Sequence, residues 1–219
     1  MENRVCYIVG SGLFDGKMFR PRPNDYIIAA DGGYAYLDRM SIIPDAVVGD
    51  FDSLGYVPKH PNIIKHPIEK DDTDTMLAIK YAMNIGFNNF YIFGCLGGRV
   101  DHSIATIQTL CYISNHGGHG YIFGGNSVIT ALTSGEMSFD EGRYGTVSVF
   151  CQGPRAEGVT IKGLKYPLDN ANLTYDTPLG VSNEFIGTSA TISIKKGTII
   201  IVFSEDNFKD EFKNEKEEI

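Results

Sequence analysis

The sequence predicts an α/β protein in two parts: an N-terminal, mainly parallel sheet with flanking helices (Rossmann-like), followed by a C-terminal all-β sandwich. Three observations predict it. Up to about residue 125, short continuous apolar runs alternate with helical periodicity. Most of those runs end on glycine or aspartate. From about residue 126, apolar and polar residues alternate, turn residues recur at short intervals, and no helical run is visible.

The first part is read element by element. Val5–Val9, Tyr26–Ala30, Ala46–Val48, Ile63–Ile64, Phe90–Phe93 and Tyr121–Phe123 are short, unbroken and rich in β-branched or aromatic residues. Such runs suit strands buried on both faces of a parallel sheet. Between them, Asp72–Ile85 places Met76, Ile79 and Met83 on one helical side, with Asp71 or Asp72 as cap and Gly86 as stop. His102–Asn115 repeats the pattern with Ile104, Ile107 and Cys111, and Gly33–Met40 is a shorter candidate. Strand–helix alternation implies a parallel sheet with helices on both faces. In the second part, Thr146–Cys151 and Ala190–Lys195 alternate, Lys196-Gly197 reads as a turn, and Thr198–Phe203 reads as a final strand. Val159–Ile161 and Asn172–Tyr175 are weaker strands. The expected domains are therefore residues 1–125 and 126–219, with a charged tail from about residue 205.

Composition narrows the function. The 219 residues carry 19 basic and 27 acidic side chains, a net charge of −8. No basic stripe is present, which disfavours a nucleic-acid groove. No apolar run reaches the roughly 18–20 residues of a membrane-spanning helix. The first residues do not read as a signal peptide. None of the four cysteines forms a C-x-x-C pair, and all sit in or beside apolar runs. This suits buried free thiols and a cytoplasmic setting.

The chemistry is carried by acids. Asp31 follows the second strand, Asp50 and Asp52 the third, and Asp71, Asp72 and Asp74 the fourth, while Asp101 follows the fifth. In an open parallel sheet the carboxyl ends of the strands share one edge, where ligands bind. Aspartate is also common in turns and helix starts, and one or two of these acids need no further explanation. Several from separate segments repel one another unless a divalent cation sits among them. Oxygen ligands with no nearby Cys or His point to Mg²⁺, which also favours substrate phosphates. A nucleoside polyphosphate is the expected substrate. Gly97-Gly98-Arg99 can offer backbone N–H groups and a guanidinium fork to an anion. Gly10-Ser11-Gly12 is a weaker phosphate-loop hint that lacks the Lys-Ser/Thr of a Walker loop.

Together the motifs resemble the thiamine pyrophosphokinase family. They are Ala30-Asp31-Gly32-Gly33, Pro44-Asp45 with Gly49-Asp50-Phe51-Asp52-Ser53, Lys70-Asp71-Asp72-Thr73-Asp74, Gly98-Arg99-Val100-Asp101-His102, and Ser182-Asn183-Glu184-Phe185. The resemblance implies transfer of the pyrophosphoryl group of ATP to the hydroxyl of thiamine. It implies Mg²⁺ on Asp50, Asp52 and Asp74, and nucleotide contacts from Asp31, Gly32, Lys70, Arg99 and Asp101. Thr73, Ser182 and Asn183 would meet thiamine. Asp71 or Asp74 would orient or deprotonate its hydroxyl, and Asp52 would serve catalysis through the metal. The family works as a homodimer, with the site between the α/β domain of one subunit and the β domain of the other. The chain has no Trp, so ring stacking on thiamine falls to Phe or Tyr, with Phe185 as first candidate. A magnesium-dependent phosphohydrolase using the same acids, and a non-catalytic thiamine or nucleotide sensor, are the competing readings.

Overall fold

The computed structural model describes residues 4–65 and 72–208, which form two compact units. The described part of the first unit comprises residues 4–65, 72–109 and 117–125, and that of the second 110–116 and 126–208.

In the first unit, strands β1 (Cys6–Val9), β2 (Tyr26–Ala30), β3 (Ala46–Gly49), β4 (Ile63–Lys65), β5 (Asn89–Phe93) and β6 (His119–Gly124) are ordered β6-β5-β1-β2-β3-β4. All these pairings are parallel. Every residue of β1 and β3 is buried, which explains why those runs are unbroken rather than alternating. The sheet grows from β1 in both directions, towards β2 on one side and β5 on the other. That makes the carboxyl end of β1 a switch point, where open parallel sheets leave a crevice.

Helices α1 (Tyr34–Arg39), α2 (Asp74–Asn84) and α3 (Val100–Asn115) lie where helices were expected, but their details differ. The cap of α2 is Thr73, whose hydroxyl accepts the Met76 N–H at 3.2 Å, rather than Asp71 or Asp72. Its buried stripe is Ala78, Ile79 and Ala82. On α3 the buried residues are Thr106, Thr109, Leu110 and Ile113, while Ile104 is exposed. The two threonines can be buried because each hydroxyl donates to a carbonyl one turn back, Thr106 to His102 and Thr109 to Ala105.

The second unit is antiparallel, with strands β7 (Ser127–Phe139), β8 (Tyr144–Lys162), β9 (Leu168–Thr174), β10 (Gly180–Ile186) and β11 (Ala190–Ser204). The order is β10-β8-β11-β7, and β9 pairs with the far half of β8. Lys196-Gly197 is not a turn. Residues on both sides of it pair with β7 and β8 in continuing order, so β11 is one strand with a bulge. Gly197 takes a φ of +101°, and a Cβ there would meet the Arg155 carbonyl oxygen.

The bulges have an architectural consequence. On β7, Val128 pairs with Phe203 and Phe139 pairs with Ala190. A straight strand would separate Val128 from Phe139 by roughly 35 Å, at about 3.3 Å per residue. Yet the Phe139 and Phe203 rings lie 5.4 Å apart, and Phe139 also meets Phe185 at 5.0 Å. The sheet therefore folds back on itself and encloses its own apolar face, with Val147, Ile161, Ile192 and Ile201 fully buried.

Candidate active site

The strand ends explain how the acids meet. Ala30 is level with Val48 across the β2–β3 pair, so the residues that follow the two strands emerge side by side. Asp31 follows β2 with φ +48°, and Asp50-Phe51-Asp52 follows Gly49, the last residue of β3. Phe51 turns back into the core at φ +65° and 3% exposure, which leaves the aspartates on either side facing outward. Carboxylate oxygens of Asp31, Asp50 and Asp52 all lie within 4.8 Å of one another. The Asp52 N–H donates to Asp50 Oδ1 at 3.1 Å, and the Ser53 hydroxyl donates to Asp52 Oδ1 at 3.2 Å, fixing the turn.

Asp31 is 7% exposed, and its buried Oδ1 has no hydrogen-bond partner. A buried, unpartnered carboxylate oxygen beside two further carboxylates is costly, and a cation removes both the repulsion and the orphan. The donor set is oxygen only, so the residues present fit a hard divalent ion. Gly49 is what allows the close approach: a Cβ at that position would stand 3.1 Å from the Asp31 Cα.

These acids open into a concavity of about 690 Å³ at the β1 switch point, lined entirely by the first unit. Thr73 and Asp74 reach it from the start of α2. Asp72 lines it too, with its charge met by Lys80 Nζ at 2.6 Å. Arg99 reaches it from the connection between β5 and α3, and His102 from the first turn of α3. Thus β2, β3 and α2 supply anions, while the β5–α3 connection and the start of α3 supply donors.

Gly10-Ser11-Gly12 lines the same space but is not a phosphate loop built on glycine amides. The Gly10 N–H donates to the Phe93 carbonyl at 2.8 Å and the Gly12 N–H to the Gly94 carbonyl at 2.5 Å, so both are occupied by the end of β5. Gly97 and Gly98, with φ of +79° and +71°, are the pair whose N–H groups donate to no carbonyl among the described residues.

The predicted residues separate as follows. Asp31, Asp50, Asp52, Thr73, Asp74 and Arg99 share the concavity, and Gly32 sits beside them, close to Ser11 and Ser53. Asp101 is not in its lining. Both Asp101 oxygens are held by Arg99, at 3.2 Å from Nε and 2.6 Å from the terminal nitrogen. That bond pulls the Asp101 carboxyl down to about 2. Lys70 and Asp71 lie outside the described residues. Cys95 also lines the concavity, but burial pushes its thiol up to about 11, which leaves it protonated and unreactive. The family resemblance implies Asp74 as a metal-binding carboxylate with Asp50 and Asp52, and Asp74 shares the concavity with them. Asp31 joins the oxygen cluster for the same reason Asp50 is there: both directly follow neighbouring parallel strands.

In the second unit Asn183 is 3% exposed and fully engaged. Its Oδ1 accepts the Tyr166 and Glu184 N–H groups at 2.9 Å each, and its Nδ2 donates to the Tyr166 carbonyl at 2.7 Å. Ser182 is exposed at φ +59°, and its N–H donates to the Ser148 hydroxyl at 3.1 Å. Phe185 is 3% exposed and packed on Phe139, so its ring cannot stack on a ligand. Tyr166 is 55% exposed and, with Asn183 and Val181, lines a hollow of about 290 Å³.

Comparison with known proteins agrees across both units. A family model described as "Thiamin pyrophosphokinase, catalytic domain" matches residues 22–121. A second, "Thiamin pyrophosphokinase, vitamin B1 binding domain", matches residues 136–199. The chain is 31% identical over 188 residues to the thiamine pyrophosphokinase of Bacillus subtilis (strain 168), covering 82% of this chain and 87% of that protein. It is 25% identical over 189 residues to thiamin pyrophosphokinase 1 of Caenorhabditis elegans, covering 80% and 77% respectively. The crystal structure of the Bacillus subtilis thiamine pyrophosphokinase is similar with a TM-score of 0.82 at 27% identity, over 93% of this chain and 100% of that one. That of the Geobacillus thermodenitrificans thiamin pyrophosphokinase gives 0.77 at 26% identity, over 94% and 98%. The chain belongs to the thiamine pyrophosphokinase family.

Proposed function

We propose that the protein transfers the pyrophosphoryl group of ATP to the hydroxyl of thiamine, giving thiamine diphosphate and AMP, with Mg²⁺ as the metal. The observation that carries this reading is the buried, unpartnered Asp31 oxygen beside Asp50 and Asp52, in a chain that matches the family in both units. When bound, Mg²⁺ would supply positive charge that offsets the negative charge developing on the transferred group. Asp50 and Asp52 would hold it, together with Asp31 and Asp74.

The remaining work is positioning and charge neutralisation. The thiamine oxygen attacks the β-phosphorus, a new O–P bond forms, and AMP leaves with the electron pair of the broken bond. The hydroxyl proton passes to a carboxylate, Asp71 or Asp74. A carboxylate that ligates a metal is a poor base, which favours Asp71. Arg99 and the Gly97-Gly98 amides receive phosphate oxygens, and Lys70 adds positive potential. Gly32 lets the nucleotide approach the turn after β2. Thr73 caps α2 and so sets where Asp74 points. In the β unit, which is the thiamine-binding and dimerisation domain in this reading, Ser182 meets thiamine. Asn183 holds Tyr166 in place, and Tyr166 offers the aromatic face first assigned to Phe185. The working form is a homodimer in the cytoplasm, whose site joins the α/β domain of one subunit to the β domain of the other. Neither nucleic acid nor membrane is a partner, and among the described residues no helix is long and apolar enough to cross a membrane.

The test mixes protein, ATP, Mg²⁺ and thiamine. AMP and thiamine diphosphate should form in equal amounts, and neither should form when any component is omitted. Steady nucleotide hydrolysis without thiamine would mark a phosphohydrolase instead.

A further inference from the structure

We propose that His102 is a nucleotide-phosphate contact in this enzyme, paired in function with Arg99. The inference rests on the functional reading above. His102 lines the carboxylate concavity, whereas its neighbour Asp101 does not. The two residues that end the Gly98–His102 motif thus divide their tasks. Asp101 spends both carboxylate oxygens on Arg99. His102 is anchored through its backbone, whose carbonyl accepts the Thr106 hydroxyl at 2.9 Å. Its ring nitrogens carry no hydrogen bond to any described residue. Thr106 lies one turn further along α3 and lines the same concavity, so this face of the helix is turned to the ligand space.

Charge explains why a donor is needed there. The orphaned Asp31 oxygen independently marks the space as one that binds a cation. A polyphosphate carried on that cation still presents oxygens to the β5–α3 side, since one divalent ion neutralises only part of its charge. On that side Arg99 and His102 are the side-chain nitrogen donors in the lining, with the Gly97 and Gly98 amides between β5 and α3. An imidazole N–H to a phosphate oxygen is a charge-assisted bond, stronger than a neutral one. A side-chain amide can replace that donor, but a methyl group cannot.

The test compares wild type, His102→Gln and His102→Ala in two measurements: steady-state kinetics, and calorimetric binding of Mg²⁺ with α,β-methylene-ATP, which cannot be cleaved at the reacting bond. His102 is exposed, so both variants should fold. In His102→Ala, the KM for ATP and the Kd of the analogue should rise about tenfold, the consequence of one lost charge-assisted bond. The KM for thiamine should stay unchanged. His102→Gln should recover most of the loss. If wild type makes AMP and thiamine diphosphate but His102→Ala binds the analogue as wild type does, the assignment of His102 fails alone. A KM for thiamine that rises as much as that for ATP would also overturn it. If wild type forms no AMP, the functional reading fails and His102 falls with it.

Discussion

Asp31 and Asp50 hold carboxylate oxygens within 4.8 Å of each other, although α1 and β3 separate them along the chain. Their parallel strands end level, and Gly49 keeps the contact free of a Cβ. Asp31→Asn should therefore leave the metal-free protein at least as stable as wild type, because it removes a buried charge that lacks a partner. Turnover should fall by about 100-fold or more through loss of metal-dependent charge stabilisation. Thermal unfolding without metal, alongside AMP formation, checks both halves. A clear loss of metal-free stability, or retained turnover, would contradict the assignment.

Gly49→Ala should do the opposite, damaging the fold as well as the site. The residue has φ +152°, and the new methyl would press on the backbone of Asp31. A cost of about 1–3 kcal/mol is expected from that strain, with turnover falling because Asp31 moves. Urea unfolding measures the first effect. An unchanged midpoint would show that the strand ends have more room than the structure gives them.

The parallel half was legible because burial on both faces leaves an unbroken apolar run, as in Cys6–Val9 and Ala46–Val48. The antiparallel half was less so. Ser127–Phe139 mixes Gly135 and polar residues into a long strand whose two ends belong to different halves of the folded-over sheet. Lys196-Gly197 has turn chemistry but serves as a bulge, a choice made by partners distant in sequence. The acid rim was legible from strand ends, yet Asp31 gave no sign of its left-handed backbone or its burial. Phe185 is buried and Tyr166 exposed for a similar reason, since ring exposure is set by tertiary packing.

Thr73→Ala should cost about 1 kcal/mol by removing the hydroxyl that caps α2. Turnover should fall as well, since the start of α2 carries Asp74. Thr73→Ser keeps the capping oxygen and should restore both properties. If Thr73→Ser stayed as inactive as Thr73→Ala, the methyl group rather than the cap would matter.

Asn183→Ala should destabilise the protein by about 2–3 kcal/mol. It leaves the Tyr166 and Glu184 N–H groups, together with the Tyr166 carbonyl, without their partner. Chemical denaturation reads this directly. A variant as stable as wild type that had only lost thiamine affinity would return Asn183 to the role of a direct contact.

Asp101 should titrate near 2 because Arg99 donates two bonds to its ionised form. The folded value lies below the ordinary 3.8, so the ion pair is fully present above that value and is lost as the pH falls through about 2. Activity near neutral pH should not report on it. Carboxyl-detected NMR should find the depressed midpoint, and Arg99→Gln should return it towards 3.8. An unshifted midpoint in the unsubstituted protein would show that the pair does not persist in solution.

The most direct measurement is Mn²⁺ binding followed by electron paramagnetic resonance, with Mn²⁺ standing in for Mg²⁺, in wild type and in Asp50→Asn. Wild type should bind the ion, and Asp50→Asn should weaken binding by at least about tenfold, as expected when a charged ligand is lost. Equal binding in the two proteins would mean that Asp31, Asp50 and Asp52 meet for some reason other than a metal, and the proposed chemistry would lose its foundation.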